Sequence, residues 1–219
     1  MTLKFGIGTA QFGLDYGITN LNGIVKESEV KNILNDKFYT YIDTASSYGV
    51  SEEIIGENLL EKDKKIITKV ILDEKNICEL ETNILNSLKK LNKKMIFGLL
   101  LHNPSELSSK NKVKFFDKLK KIKDNGIVEK IGISIYTSSD LDDINLNLID
   151  IVQAPLNIYD QRILNNGTLS KLHQKGILIH IRSIFLQGLI LQKPNLWPDN
   201  PELKSLLEHH KNFWSFLEA

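Results

Sequence analysis

Gly6-Ile7-Gly8-Thr9-Ala10-Gln11-Phe12-Gly13 closes the first apolar run of the chain and decides between two folds. That run, residues 3–9, is followed by six more: 40–44, 65–70, 97–102, 130–135, 150–154 and 177–184. Most are continuous in hydrophobicity, as strands buried on both faces are. Between them lie amphipathic stretches at 27–34, 51–60, 80–91, 113–125, 138–144 and 168–174. Val30, Ile33 and Leu34, for example, share one helical face, as do Ile84, Leu85, Leu88 and Leu91. Gly126 and Gly176 stand where two of these helices should stop. Strand-helix alternation throughout implies an α/β fold with a parallel sheet. An open dinucleotide-binding sheet would place a G-x-G-x-x-G loop after its first strand. Here Gly6 and Gly8 fit but Gln11 occupies the third glycine position, so the fingerprint fails. The pattern therefore predicts a (β/α)8 TIM-barrel type of fold, with residues 1–219 as one domain.

The alternation stops early. After Ile190 there is no further Ile, Val or Thr. The tail reads as a loop carrying Pro194, Pro198 and Pro201, then a helix from about Glu202. Barrels of this type run to about 250 residues, so the reading is of a barrel truncated to about seven βα units. Seven parallel strands leave the first and last with unpaired backbone groups, and such edges are sticky. The gap is expected to stay open, giving a chain of low stability that is prone to aggregate. Leu203, Leu206, Leu207, Phe213, Trp214, Phe216 and Leu217 are too apolar for a solvated helix, and most are expected to pack on the barrel wall.

Composition narrows the function classes. Apolar residues make up 42% and charged residues 25%, which suits a folded globular chain. Lys+Arg at 28 balance Asp+Glu at 27, so no global charge favours nucleic acid or an acidic membrane as partner. The lysines of 110–123 interleave with Phe115, Phe116, Leu119 and Ile122 and read as a solvated helix face. A lone Cys78 makes no internal disulfide and no cysteine zinc site. No apolar run approaches the roughly 18 residues of a membrane span. The first residues lack a basic segment before an apolar one. A cytoplasmic protein without metal is expected, and nothing sets its oligomeric state. His209 and His210 are adjacent and cannot share a helix face, so they read as a solvated helix end. His173 and His180 read as structural.

In a barrel, chemistry sits at the C-terminal ends of the strands. The second run ends at Asp43, with Tyr48 in the loop beyond. The third ends at Lys69, the fourth at His102, the fifth near Ser134, the sixth near Gln153 and Asn157, and the seventh at Arg182-Ser183. Four convergent groups, Asp43, Tyr48, Lys69 and His102, are poorly explained as packing, because buried charge is costly without partners. A phenol has a pKa near 10. A lysine beside it would lower that value, and a carboxylate would hold the lysine charged. With His102 to orient a carbonyl oxygen, the set suits proton donation to a carbonyl during reduction by a hydride cofactor.

These residues carry a resemblance. Tyr41-Ile42-Asp43-Thr44-Ala45-Ser46-Ser47-Tyr48-Gly49, then Ser51-Glu52 and Ile55-Gly56, resembles the aldo/keto reductase family. So do Gly8-Thr9-Ala10-Gln11-Phe12-Gly13, Ile67-Thr68-Lys69-Val70, Leu100-Leu101-His102-Asn103-Pro104, Ile131-Gly132-Ile133-Ser134, Val152-Gln153-Ala154-Pro155-Leu156-Asn157, and Arg182-Ser183 through Gly188-Leu189, in order along nearly the whole chain. The resemblance implies an NADP(H)-dependent oxidoreductase reducing an aldehyde or ketone to an alcohol. Tyr48 would be the general acid, Lys69 would lower its pKa, Asp43 would pair with Lys69, and His102 would position the carbonyl. Thr9, Asp43, Ser134, Gln153, Arg182, Ser183 and Gly188 would meet NADPH. Two positions depart from the family pattern: Ile135 replaces an Asn, and Arg182 replaces an aromatic ring under the nicotinamide. The segment after an eighth strand, where the family holds the adenosine 2′-phosphate, has no counterpart in the reading. Similar sequences in bacterial sugar and surface-polysaccharide metabolism imply a sugar-derived carbonyl. Two alternatives stand beside this: a catalytically impaired or non-catalytic relative acting as a binding protein, and another barrel enzyme, such as a Schiff-base aldolase using Lys69.

Overall fold

A computed structural model describes residues 4–61, 63–72 and 77–217. Seven strands alternate with helices: β1 (Phe5–Gly8), β2 (Tyr39–Asp43), β3 (Lys65–Val70), β4 (Ile96–Leu101), β5 (Val128–Ser134), β6 (Ile151–Pro155) and β7 (Leu178–Arg182). The helices are α1 (Ala10–Gly13), α2 (Glu27–Asn35), α3 (Ser51–Asn58), α4 (Leu80–Lys90), α5 (Ser109–Asp124), α6 (Arg162–Asn165), α7 (Thr168–Gln174) and α8 (Lys204–Leu217). The strands form one parallel sheet in chain order, curled as an incomplete (β/α)8 barrel. Boundaries match the sequence reading to within a few residues. The helix expected at 138–144 is instead a 3-10 turn, Ser138–Leu141, and α1 and α6 were not expected. All three are four residues long, too short to display a hydrophobic period.

Side-chain alternation along the strands creates two cores. Val152 and Ala154 of β6, with Ile131 and Ile133 of β5, face outward and pack with α5 residues such as Phe115 and Leu119. Ile67, Phe97, Leu100 and Ile151 face the lumen, with Tyr41 and Leu178 packed against them. Three helices stop by one device that aims the chain into the next strand. Gly126 N–H donates to Lys123 O and Ile127 N–H to Ile122 O; Gly176 and Ile177 repeat this on His173 and Leu172, and Asn92 and Lys93 on Lys89 and Leu88. The pivots Gly126 (φ 72°), Gly176 (φ 72°) and Asn92 (φ 51°) are left-handed, the geometry that ends a helix after its last orphan carbonyls are satisfied.

The seam is open. Among the described residues β1 pairs with β2 alone and β7 with β6 alone. The expectation of edge strands buried on both faces therefore fails for β1, whose Phe5 is 45% exposed and stacks on exposed Phe38. At the mouth the seam is bridged. Ile18 N–H donates to Gln187 Oε1 at 2.9 Å, and Thr19 Oγ1 to Gln187 O at 2.7 Å. Ser183, Leu186 and Gln187 all have left-handed φ, so the loop after β7 is strained where it meets the loop after β1.

The tail corrects two expectations. α8 packs mainly on the turns that precede it, Pro194–Leu196 and Pro201–Leu203, rather than on the barrel wall. Phe216 (78%) and Leu217 (58%) stay exposed. His210, expected in solvent, is fully buried. Its ring stacks on Trp197 (4.6 Å), its Nε2 lies 2.8 Å from Gln192 O, and its Nδ1 lies 2.8 Å from the Tyr159 hydroxyl. A carbonyl can only accept, so Nε2 carries the proton and Nδ1 accepts from Tyr159.

A Cβ at Gly126 would meet no atom within 4 Å. Gly126→Ala should therefore lose only the left-handed backbone preference, about 1–2 kcal/mol, read as a lower urea midpoint with an unchanged slope.

Candidate active site

The site is built on the mouth of the barrel, where β2, β3, β5, β6 and β7 end. Lys69, on β3, is 1% exposed. Its Nζ donates to Asp43 Oδ2 at 2.8 Å and to Thr44 O at 2.8 Å. Asp43 Oδ1 accepts from Gln153 Nε2 at 2.8 Å, and Gln153 Oε1 accepts from Ser134 Oγ at 3.4 Å. One polar chain thus crosses the lumen from β3 through β2 and β6 to β5. Burial pushes the Lys69 ammonium below its usual range, and the Asp43 charge opposes that shift.

Tyr48 stands above this pair. Lys69 Nζ lies 5.1 Å from the centre of its ring, and the His102 ring crosses it edge-on at 5.9 Å. The Tyr48 turn is seated on α1: a Cβ at Gly13 would fall 2.0 Å from Tyr48 O, so only glycine allows the approach. Burial, then the Asp43 charge, pushes the Tyr48 phenol up. The net shift is upward because burial and the Asp43 charge outweigh the cations near the ring. Burial, then the Lys69 charge, brings His102 down to about 4. At neutral pH the phenol is therefore protonated and the imidazole neutral. His102 Nδ1 lies 3.4 Å from Ser47 Oγ, a long contact.

The remaining candidates separate. Ser134 and Gln153 are almost fully buried beneath the mouth. Arg182 ends β7 at the rim, with Nη2 donating to Ile135 O (3.0 Å) and Nη1 to Ser183 Oγ (3.3 Å). Thr9 is fully buried and donates its hydroxyl to Asp43 O, with Ser51 Oγ donating to it in turn. It holds β1 to β2 and presents nothing to the mouth. Gly188 is also drawn away: its N–H closes a turn on Phe185 O, and a Cβ there would strike Thr19 Oγ1 at 2.3 Å. Sequence reading missed Tyr16 and Tyr136, whose phenols act electrostatically on Tyr48. Both lie in loops, outside any strand-end pattern. Among the described residues, no group of three or more His, Cys, Asp or Glu is arranged to hold a metal, and no helix is long and apolar enough to cross a membrane.

The sequence profile of the aldo/keto reductase family matches residues 4–213. The chain belongs to that family. Solved structures agree on the fold. A Pseudomonas aeruginosa protein described as an aldo-keto reductase is 22% identical, with a TM-score of 0.68 over 87% of this chain and 74% of its own. The glycerol dehydrogenase of Gluconobacter oxydans is 22% identical, with a TM-score of 0.66 over 94% and 70%. A Bombyx mori aldo-keto reductase, solved in complex with NADP, is 17% identical, with a TM-score of 0.62 over 94% and 71%. No curated protein matches the chain.

Two predictions follow from the buried pair and the imidazole. Asp43→Ala strands the Lys69 charge and should cost about 3 kcal/mol, the low end for breaking a buried pair, since Asp43 keeps 23% exposure. Asp43→Ala with Lys69→Met should recover part of that in chemical denaturation; strictly additive losses would deny the coupling. NMR titration should place His102 near about 4. The unfolded chain takes up that proton near pH 6.5, so stability should fall as pH drops from 6.5 towards 4. His102→Asn should flatten that slope.

Proposed function

We propose that this chain reduces an aldehyde or ketone to an alcohol with NADPH, and that Tyr48 delivers the proton. Family membership supports a carbonyl-reducing oxidoreductase. The observation that carries the finer reading is the Tyr48 phenol, held protonated at the mouth with His102 beside it and the Lys69–Asp43 pair beneath it. The Bombyx mori relative solved with NADP supports the cofactor.

The donor set fits a nicotinamide in part. Gln153 Nε2 is committed to Asp43. Ser134 Oγ is held by a bond of 3.4 Å, long enough to yield to a carboxamide. Arg182 and Ser183 supply donors at the rim. Bound NADPH supplies the hydride. The chain's own residues handle the proton. Tyr48 Oη donates to the carbonyl oxygen, and neutral His102 orients that oxygen. As the phenol loses its proton, Lys69, 5.1 Å from the ring, stabilises the phenolate while Asp43 keeps the ammonium in place. Tyr48 is half-buried and regains its proton from solvent through the mouth. A Schiff-base role for Lys69 is disfavoured by its two acceptors, the Asp43 carboxylate and Thr44 O, which hold the ammonium. A sugar-derived carbonyl suits a polar, open mouth.

A second reading, a relative that binds but does not turn over, is favoured by the unpaired edges of β1 and β7. Fluorescence titration with NADPH, followed by turnover of a simple aldehyde, separates the two. Tyr48→Phe should cut turnover by about 100-fold or more and leave NADPH affinity nearly unchanged. Unchanged turnover removes Tyr48 from its role, and absence of NADPH binding at near-millimolar concentration removes the reductase reading.

A further inference from the structure

Arg182 carries a charge that no carboxylate among the described residues pairs with. It is half-buried at the end of β7, and its partners are neutral: the Ile135 carbonyl, the Ser183 hydroxyl and the face of Tyr136, 4.3 Å from Cζ. Among the described residues no carboxylate pairs with it. Asp43 is taken by Lys69, and Asp160 in the β6 loop by Arg162. Two of the five N–H donors of its guanidinium are used, and the others are available.

The groups around the Tyr48 phenol carry no net charge, and Asp140 on the neighbouring loop accepts from Tyr136 N–H and Thr137 N–H. Lys69 and Asp43 cancel, Tyr48 is protonated, and His102 is uncharged at neutral pH. Among the described residues, Arg182 is the cation at this rim that makes no ion pair. Arg182 ends β7 at the same rim, and its charge acts on Tyr48, His102 and Lys69 alike. Tyr136 and the Ile135 carbonyl fix the plane of the guanidinium and leave its fork to meet a planar or tetrahedral oxyanion.

We propose that Arg182 is an anion-recognition residue of this mouth and that the substrate is an anionic carbonyl compound, bearing a carboxylate or phosphate a few bonds from the carbonyl carbon. This rests on the reductase reading above. The same chemistry could serve a phosphate of the cofactor, and the test separates the two sources.

Succinic semialdehyde and butanal are four-carbon aldehydes that differ in one carboxylate. The protein should prefer the first by about tenfold or more in kcat/KM, the scale of one charge-assisted hydrogen bond, with the difference carried by KM. Arg182→Gln should collapse that ratio towards one, and Arg182→Lys should restore part of it. Succinate, which cannot be reduced, should bind the NADPH-loaded protein by calorimetry and lose about tenfold or more in affinity in Arg182→Gln. A ratio unchanged by Arg182→Gln overturns the proposal. So does a tenfold loss of NADPH affinity with the ratio intact, which assigns the anion to the cofactor. If neither aldehyde is reduced, the reductase reading fails; succinate binding that depends on Arg182 would then uphold the anion site, and its absence would overturn that as well.

Discussion

An ammonium with 1% exposure inside a barrel can persist only if something neutralises it, and here that is Asp43 at 2.8 Å. Much of the mouth depends on this constraint. Asp43 has two oxygens, and once Lys69 holds one, the other fixes Gln153, which in turn takes the hydrogen of Ser134. The backbone joins in: Lys69 Nζ also holds Thr44 O, and Thr9 Oγ1 holds Asp43 O. Four strands are thus tied by polar bonds at the height where the carbonyl would react. The pair also sets the electrostatics, because the Asp43 charge pushes the Tyr48 phenol up and the Lys69 charge pushes His102 down.

The fold was legible because a parallel sheet repeats one pattern seven times, and each repeat has its own stop signal. Gly126 and Gly176 mark helix ends in sequence as they do in space. Asn92 does the same work less visibly, since asparagine enters the left-handed region only some of the time. The site was legible at strand ends, where Asp43, Lys69 and His102 converge as expected. It was illegible where a side chain's direction depends on tertiary contact. Thr9 reads as a rim residue, yet its hydroxyl is consumed by the neighbouring strand. Gly188 reads as a cofactor loop, yet it abuts Thr19. The direction of the Tyr48 shift depends on how deeply the ring is buried and on the Asp43 charge near it, which spacing does not reveal.

His210 shows a third kind of failure. Two adjacent histidines on an exposed amphipathic helix look alike in sequence. Only the placement of Trp197, Gln192 and Tyr159 around one of them makes His210 a fully satisfied buried group, while His209 bonds its own helix at Ser205 O. The tail is therefore fastened by a polar knot rather than by the apolar area its leucines suggested. It is anchored to the loop of β6 through Tyr159 and to its own approach through Gln192.

The open seam gives the lumen a side as well as a mouth. Here Gly6 and Gly8 on one edge are exposed, and Leu178, His180 and Arg182 on the other are half-buried. No atom lies within 4 Å of where a Cβ on Gly8 would be. Inside, Ile67, Phe97, Leu100 and Ile151 pack against one another, and at the mouth the two edges are joined by the bond from Ile18 to Gln187. Among the described residues the unpaired edges of β1 and β7 carry backbone N–H and C=O groups beside the site. What this side of the barrel offers is therefore backbone to pair with, not a cavity to fill.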